Sequence, residues 1–250
     1  MLRSLQRAVF VTALLVHTPL HAQPGSIAAA IAASDRPKAD TDRDAQRHPA
    51  ALIAFAGIKP GDHIADLMPG RGYFTRIFSN LVGTSGHVYA IVPAELAQVA
   101  PKIPEAMKAL AADPAFANVT SLVMPTAQIA APEKLDLAWT SQNYHDLYGF
   151  FGAAQAAQFD AAVFKALKPG GAFIVIDHVA PAGTSETSPK TLHRIDPETV
   201  KAQVLAAGFV LEAQSDLLRN PADPHTAKVF APEIRGHTDQ FVFRFRKPAK

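Results

Sequence analysis

The 250-residue chain contains no cysteine. Disulfide bonds, thiolate zinc sites and cysteine nucleophiles are therefore excluded, and the stability of the protein must come from a packed core. Its 24 basic residues are nearly balanced by 22 acidic ones. The sequence has no basic stripe of the kind that nucleic-acid-binding proteins use, so we expect no nucleic-acid partner. A G-x-S-x-G motif is also missing, which leaves a serine hydrolase without support.

Long hydrophobic runs are missing as well. The most apolar segment, AVFVTALLVHTPL at residues 8–20, is too short for a typical membrane span. It follows the basic segment MLRSLQR and is followed by the small residue Ala22, which is the layout of a secretory signal peptide over residues 1–22. We therefore expect an exported protein, periplasmic or secreted, with no membrane partner after cleavage. An uncleaved membrane anchor is the alternative.

The rest of the chain predicts a helical, charged lead-in at residues 23–48 and a single domain at residues 49–250. Apolar, β-branched segments alternate there with helical patterns, which predicts a parallel sheet covered by helices on both faces. DPETVKAQVLAAG is a well-marked helix, with Asp196 as its cap and Gly208 at its end. The last two strands, FVLEAQSDLL and QFVFRFR, have no helical pattern between them and could pair antiparallel.

The segment IADLMPGRGYFTRIF, residues 64–78, combines a strand that ends in an acid with a glycine turn and a helix. A P-loop would need Gly-Lys-Ser/Thr where the chain has GRGYFT, so that site is excluded. A dinucleotide site would need a third glycine and an acid at the end of the second strand, where the chain has Thr75 and Val92. Gly70 and Gly72 nevertheless allow the backbone to approach a ligand.

Three segments together carry a family resemblance: GDHIADLMPGRGYFT, LDLAWTSQNYHDL and LKPGGAFIVIDH. They resemble the Rossmann-like, class I S-adenosylmethionine-dependent methyltransferases over roughly residues 45–248. DRDAQRHPAALIAF, QNYHDLY and LHRIDPETVKAQV resemble a less-characterised branch of predicted methyltransferases with export signals. The resemblance implies an α/β fold, a three-layer sandwich whose mostly parallel seven-stranded sheet ends in an antiparallel C-terminal hairpin. It also implies S-adenosylmethionine as the cofactor.

The resemblance further implies a cofactor site. Asp66 is expected at the amino-acid end of the cofactor, and Thr140 and Ser141 along its other side. Gly70 and Gly72 are expected beside its methionine and ribose. The remaining expected contacts are Met68, Tyr73, Glu95 and Thr126.

Three positions depart from the family pattern. Met68 replaces the first glycine of the loop, Val92 the acid that holds the ribose, and Thr126 the residue that often meets the adenine. Glu95, three residues after Val92, could substitute for the missing acid. Arg43 and Arg47 share one face of a helical turn, which is either a solvated face or a pair of cations that closes over the cofactor's carboxylate or an anionic acceptor.

A base for methyl transfer should lie beyond the strand ends, where His145 follows the fourth strand and His178 the fifth. His193 lies in the next loop, and Tyr144 could position the acceptor. For each of these residues a purely structural role is the alternative. His145, Asp146, Asp177, His178 and His193 are also metal-ligand types, but their spacing matches no compact motif, so no metal site is assigned.

The favoured function is methyl transfer to an unidentified small-molecule acceptor. One alternative is an exported protein that binds the cofactor without turnover, motivated by the departures at Met68, Val92 and Thr126. A metal-dependent hydrolase on the same fold is the third hypothesis.

Overall fold

The computed structural model describes residues 25–249. The predicted signal peptide at residues 1–22 lies outside the described residues. No helix within residues 25–249 combines the length and apolar content that a membrane crossing requires.

A seven-stranded sheet forms the centre of the described chain, in the order β3-β2-β1-β4-β5-β7-β6. Strands β1 to β5 pair in parallel, and β7 pairs antiparallel with both β5 and β6. The predicted α/β architecture with an antiparallel C-terminal hairpin is therefore confirmed. The strands are β1 (His63–Leu67), β2 (His87–Pro93), β3 (Val119–Met124), β4 (Leu135–Ser141), β5 (Leu167–His178), β6 (Val210–Ser215) and β7 (Gln240–Arg246).

Helices cover both faces of the sheet. They are α1 (Ile27–Ile31), α2 (Lys38–Thr41), α3 (Asp44–Arg47), α4 (Pro49–Ala56), α5 (Tyr73–Val82), α6 (Ala94–Val99), α7 (Lys102–Ala111), α8 (Tyr144–Asp146), α9 (Ala153–Ala166), α10 (Ser188–Leu192) and α11 (Pro197–Ala206). A π-helical turn, Leu147–Phe151, follows α8. The Asp196 side chain accepts from the Glu198 amide at the start of α11, as expected of its cap.

Successive strand residues point to opposite faces, and the core is accordingly divided in two. One half contains Leu67 and Ile91 and is covered by α9 and α11, whereas the other contains Val92 and Trp139 and is covered by α5. Both halves are fully buried at the middle strands. The near-continuous apolar character of the strands follows from this two-sided burial.

The lead-in helices are attached to the start of α5 by buried polar contacts. The Arg36 guanidinium forms a two-pronged ion pair with Asp44, at 2.7 and 2.8 Å. Tyr73 Oη donates to the same carboxylate at 2.5 Å, and Arg76 pairs with Asp40 at 2.9 Å. These bonds hold α2 and α3 beside the loop that follows β1.

A long loop between β6 and β7, residues 216–239, is held over the sheet edge by a buried ion pair. The Arg194 guanidinium bonds to both Asp223 oxygens, at 2.8 and 3.0 Å, and neither side chain is exposed. Arg194 also donates to the carbonyls of Val179 and Ala227. The pair therefore connects the end of β5 to the middle of the loop.

We expect Asp223→Asn to lower the free energy of unfolding by about 3 kcal/mol, because it leaves a buried guanidinium without its counter-charge. Urea denaturation of the full chain measures this. The matched control is Asp42→Asn, which breaks the exposed pair with Lys38 and should cost at most about 0.5 kcal/mol. Equal costs in the two variants would contradict the structural role of the buried pair.

Candidate active site

The loop that follows β1 faces the loop that follows β4, because the strand order reverses between these two neighbours. Met68 and Gly70 both have left-handed backbone conformations, with φ of 55° and 60°. The Met68 amide donates to the Ile91 carbonyl at 2.9 Å. Its carbonyl accepts from Asn143 Nδ2 at 2.7 Å. The two loops are thus bonded to each other at the point where α/β proteins commonly bind ligands.

The two glycines of the first loop have different surroundings. Among the described residues, a Cβ atom on Gly70 would meet nothing within 4 Å beyond its chain neighbours. A Cβ atom on Gly72 would lie 2.7 Å from Leu110 and 2.9 Å from Met107, both on α7. Gly70 therefore leaves open space for a ligand, whereas Gly72 is favoured by its left-handed φ of 82° and would have to displace the flexible ends of two α7 side chains if it carried a Cβ atom.

Met68, which replaces the first glycine of the family loop, is buried. It belongs to the half of the core that also contains Leu67, Tyr89 and Ile91. Its side chain therefore packs in the core. Val92 lies in the opposite half of the core and is fully buried, so it presents no polar group where the family has an acid.

Asp66 is buried at the end of β1, and its Oδ2 atom accepts from Thr75 Oγ1 at 2.6 Å. Burial raises the pKa of this carboxyl group to about 7, although the Thr75 hydrogen bond and the charge of Arg47 oppose the shift. A cation bound beside Asp66 would favour its ionised form. The residue is therefore suited to meet a positively charged group.

Arg47 is the cation whose charge lowers the pKa of Asp66. Burial lowers the pKa of its guanidinium to about 10, so it remains charged at neutral pH. The guanidinium stacks 4.5 Å from the ring centre of Tyr73 and donates to Gln142 at 3.0 Å. Of the two residues on this helical turn, Arg43 is exposed, as a solvated face requires, whereas Arg47 is half-buried and makes these contacts within the protein. Tyr73 itself is buried under Arg47, and its hydroxyl is bonded to Asp44.

Glu95 and Thr126, the two residues expected near the ribose and adenine, lie in contact. The Thr126 hydroxyl donates to Glu95 Oε1 at 2.8 Å, and the Thr126 amide lies 3.2 Å from Oε2. Gln155, at the start of α9, donates to the Thr126 hydroxyl at 2.5 Å. A polar cluster with one carboxylate therefore stands beyond the ends of β2 and β3.

Thr140 and Ser141 occupy the last two positions of β4. Thr140 is buried, and its hydroxyl donates to Asn143 Oδ1. Because Asn143 also binds the carbonyl of Met68, Thr140 orients the side chain that connects the two loops. Ser141 is half-buried beside Ile176 of β5.

Asp177, the second-last residue of β5, organises the histidines at the strand ends. Its fully buried carboxylate accepts from the His145 amide at 2.7 Å, from His145 Nδ1 at 2.8 Å and from the His178 amide at 2.8 Å. Burial alone would raise the pKa of Asp177, but the charge and hydrogen bonds of His145 lower it. The carboxylate is therefore ionised and fixed.

His145 is held between two carboxylates, since its Nε2 atom lies 3.2 Å from Asp146. Burial would lower its pKa, but the attraction of Asp177 and the hydrogen bonds to both acids outweigh burial and raise the pKa to about 10. His145 is then a cation at neutral pH. The expectation that it serves as the base is not supported by this geometry, since a protonated imidazole cannot accept a proton.

His178 has the opposite character. Burial lowers its pKa to about 4, because the opposing attraction of Asp177 is outweighed by burial together with the charges of His145, Arg194 and Arg47. Its Nδ1 atom is bonded to Thr238 Oγ1 at 2.7 Å. A neutral imidazole therefore stands beside a charged one, which is how active sites divide acid and base roles.

His193 joins the same group. Its ring lies 5.4 Å from that of His145, and its Nδ1 atom is 3.4 Å from Asp146 Oδ1.

Tyr144 lies apart from these histidines. The Tyr144 side chain is fully buried, and its hydroxyl donates to Asp160 at 2.7 Å. The expectation that Tyr144 positions the acceptor must be corrected, because α8 turns this side chain into the core.

A cavity of about 550 Å³ opens beside these residues. Its lining is basic and includes Arg43, Arg47, Gln142, His178, Phe230 and Arg235. The last two come from the loop between β6 and β7, whose segment LLRNPADPHTAKVF could be predicted from the sequence either as part of a lid or as an ordered loop only. Gln142 could have been noticed only from its place next to Asn143 in SQNYHD. Gln155 carried no signal, because it lies in an alanine-rich helix.

Known proteins with a similar sequence include a methyltransferase. No family profile matches the chain. Over 191 residues it is 25% identical to the ubiquinone/menaquinone biosynthesis C-methyltransferase UbiE of Teredinibacter turnerae, covering 75% of this chain and 66% of that protein. The chain thus spans slightly less than two thirds of the length of this curated relative.

Solved structures share the architecture. A SAM-dependent methyltransferase from Aquifex aeolicus superposes with a TM-score of 0.61 at 17% identity, covering 84% of this chain and 95% of the other. The cyclase SpnF superposes with a TM-score of 0.62 at 16% identity, covering 87% and 86%. Together with the sequence match, these likenesses confirm the resemblance to the class I methyltransferases. Since the fold also hosts a cyclase, chemistry must be argued from the site.

We expect Asp66→Asn to stabilise the protein above pH 7 by about 2 kcal/mol, because it removes the cost of burying a charge. The folded carboxyl group ionises near pH 7 and the unfolded one near 3.8. The wild type therefore loses stability as the pH rises through this window, and the variant does not.

Thermal unfolding at pH 4 and pH 8 measures the difference. The two proteins should be alike at pH 4, and the variant should be the more stable at pH 8. Glu186→Gln, at an exposed position, is the control and should change little at either pH. A variant that is less stable than the wild type at pH 8 would contradict the assignment.

Proposed function

We propose that the chain is an S-adenosylmethionine-dependent methyltransferase that acts on a small molecule with an anionic group. The observation that carries the proposal is the open loop at Gly70, flanked by Asp66 and Arg47, at the reversal point of the sheet. The sequence match to a C-methyltransferase over 191 residues supports the same activity.

The residues at the strand ends fit the chemistry of this cofactor. Its amino-acid end carries an ammonium and a carboxylate group, which the carboxylate of Asp66 and the guanidinium of Arg47 complement. Its other end carries ribose hydroxyls and an adenine. The carboxylate of Glu95 and the hydroxyl of Thr126 offer hydrogen bonds there, although both already bond to each other. Gly70 leaves the path between the two ends open.

When bound, the cofactor supplies an electrophilic methyl group, and the protein has to align a nucleophile with it. Arg43 and Arg235 line the 550 Å³ cavity and would hold an anionic group of the acceptor. The exposed side chain of Phe230 also lines this cavity. This arrangement suits a small acidic molecule with an apolar part.

His178 is our candidate for handling the acceptor's proton. It lines the cavity, and its low pKa keeps it neutral at physiological pH, so it can accept a hydrogen bond. A hydroxyl proton becomes far more acidic as its oxygen gains a methyl group, so even a weak base can then take it. Thr238 fixes the ring through Nδ1.

The test is calorimetric titration of the purified full chain with S-adenosylhomocysteine. We expect wild-type binding in the micromolar range, and Gly70→Val to abolish it by filling the open side of the loop. Gly183→Val is the matched control, because Gly183 also has a positive φ of 74° and, among the described residues, open space around its Cβ position. This control should bind like the wild type.

Thermal unfolding of both glycine variants shows whether they fold. No heat with the wild-type protein at high micromolar concentration would contradict cofactor binding. Unchanged affinity in Gly70→Val would place the cofactor elsewhere. Binding without methyl transfer to any acidic small molecule would favour a binding protein without turnover.

A further inference from the structure

His145, Asp146 and His193 bring three metal-ligand atoms together beside the proposed acceptor cavity. His145 and Asp146 lie on α8, and His193 follows α10 with a left-handed φ of 55°. Their ligand atoms, two imidazole nitrogens and one carboxylate oxygen, all lie within 4.8 Å of one another. These atoms come from two separate elements, so the fold and not the local sequence creates the cluster.

The spacing suits a metal ion. Ligand atoms about 2.1 Å from a tetrahedral ion stand about 3.4 Å apart along each edge. Asp146 Oδ1 lies 3.2 Å from His145 Nε2 and 3.4 Å from His193 Nδ1, so two edges already have this length. A small rotation of the half-buried His193 side chain would close the third edge.

A second carboxylate orients the cluster. His145 Nδ1 is bonded to the buried carboxylate of Asp177 at 2.8 Å, which directs Nε2 towards Asp146 and His193. Metal-binding histidines in proteins almost always have such a partner on the other ring nitrogen. The pair of Asp177 and His145 therefore resembles the carboxylate–histidine–metal arrangement of established sites.

We propose that His145 Nε2, Asp146 Oδ1 and His193 Nδ1 bind one divalent transition-metal ion, such as Zn²⁺. Two imidazoles and one carboxylate suit zinc, iron or nickel and leave coordination positions open. Asp146 and His193 also line a cavity of about 290 Å³ together with Phe150 and Lys190, from which a water molecule could reach the ion. On binding, the ion replaces the proton at His145 Nε2, which leaves to solvent.

The inference does not depend on the proposed methyl transfer, because metal binding is measured without cofactor or acceptor. The untagged full chain is treated with a chelator, and the visible absorption of added Co²⁺ and its displacement by Zn²⁺ are recorded. We expect one ion per chain. His193→Gln and Asp146→Asn should each weaken Co²⁺ binding at least tenfold.

The matched control is His225→Gln. His225 is also half-buried and paired with an aspartate, Asp239, at 2.9 Å, but it lies outside the cluster. It should bind Co²⁺ like the wild type. Absence of stoichiometric binding in the wild type would overturn the proposal, as would equal losses in His193→Gln and His225→Gln. Thermal unfolding confirms that the variants fold, and Asp146→Asn, at a partly exposed residue, gives a second variant.

Discussion

The carboxylate of Asp177 accepts three hydrogen bonds at the end of β5, and the chemistry of the neighbouring cavity depends on them. It fixes the ring of His145 and the backbone at which β5 ends. A buried carboxylate without such partners would be costly, so its ionised form and the charged ring of His145 stabilise each other. The resulting positive charge helps to keep His178 neutral. The charge of Asp177 itself raises the pKa of His178, but burial and the charge of His145 outweigh it, so the two adjacent histidines have opposite protonation states at neutral pH.

Near the loop that follows β1, the buried carboxyl group of Asp66 and the half-buried guanidinium of Arg47 also influence each other. Arg47 stabilises the ionised form of Asp66 less than His145 stabilises that of Asp177, because the pKa of Asp66 stays raised at about 7 whereas that of Asp177 is lowered. Such a group is unfavourable in the free protein at high pH and favourable once a cation binds. The fold therefore keeps a locally destabilising residue at the place where a charged ligand would be bound, as functional sites commonly do. The lead-in helices contribute directly, since Arg47 belongs to α3.

Much of the architecture could be predicted because it depends on periodic burial. The two-sided sheet, the antiparallel hairpin and the cap of α11 follow from local patterns. The position of Asp66, Gly70 and His178 at or just beyond the ends of β1 and β5 could be predicted from the order of the elements, and their roles stay predictions. The burial of the Tyr144 side chain could not be predicted, because α8 has only three residues and therefore shows no hydrophobic periodicity. Arg235 and Thr238 come from a loop that is positioned by the ion pair of Arg194 and Asp223. That contact joins residues 29 positions apart.

The central claim is that the cofactor lies between the loops after β1 and β4, and that the sulfur atom carrying its methyl group faces His178. A crystal structure of the complex with S-adenosylhomocysteine tests this most directly. The account predicts the carboxylate of the ligand at Arg47, its ammonium at Asp66, its ribose and adenine at Glu95 and Thr126, and its sulfur facing the cavity lined by His178. A ligand bound away from Gly70, or one whose sulfur is separated from that cavity, would contradict the account.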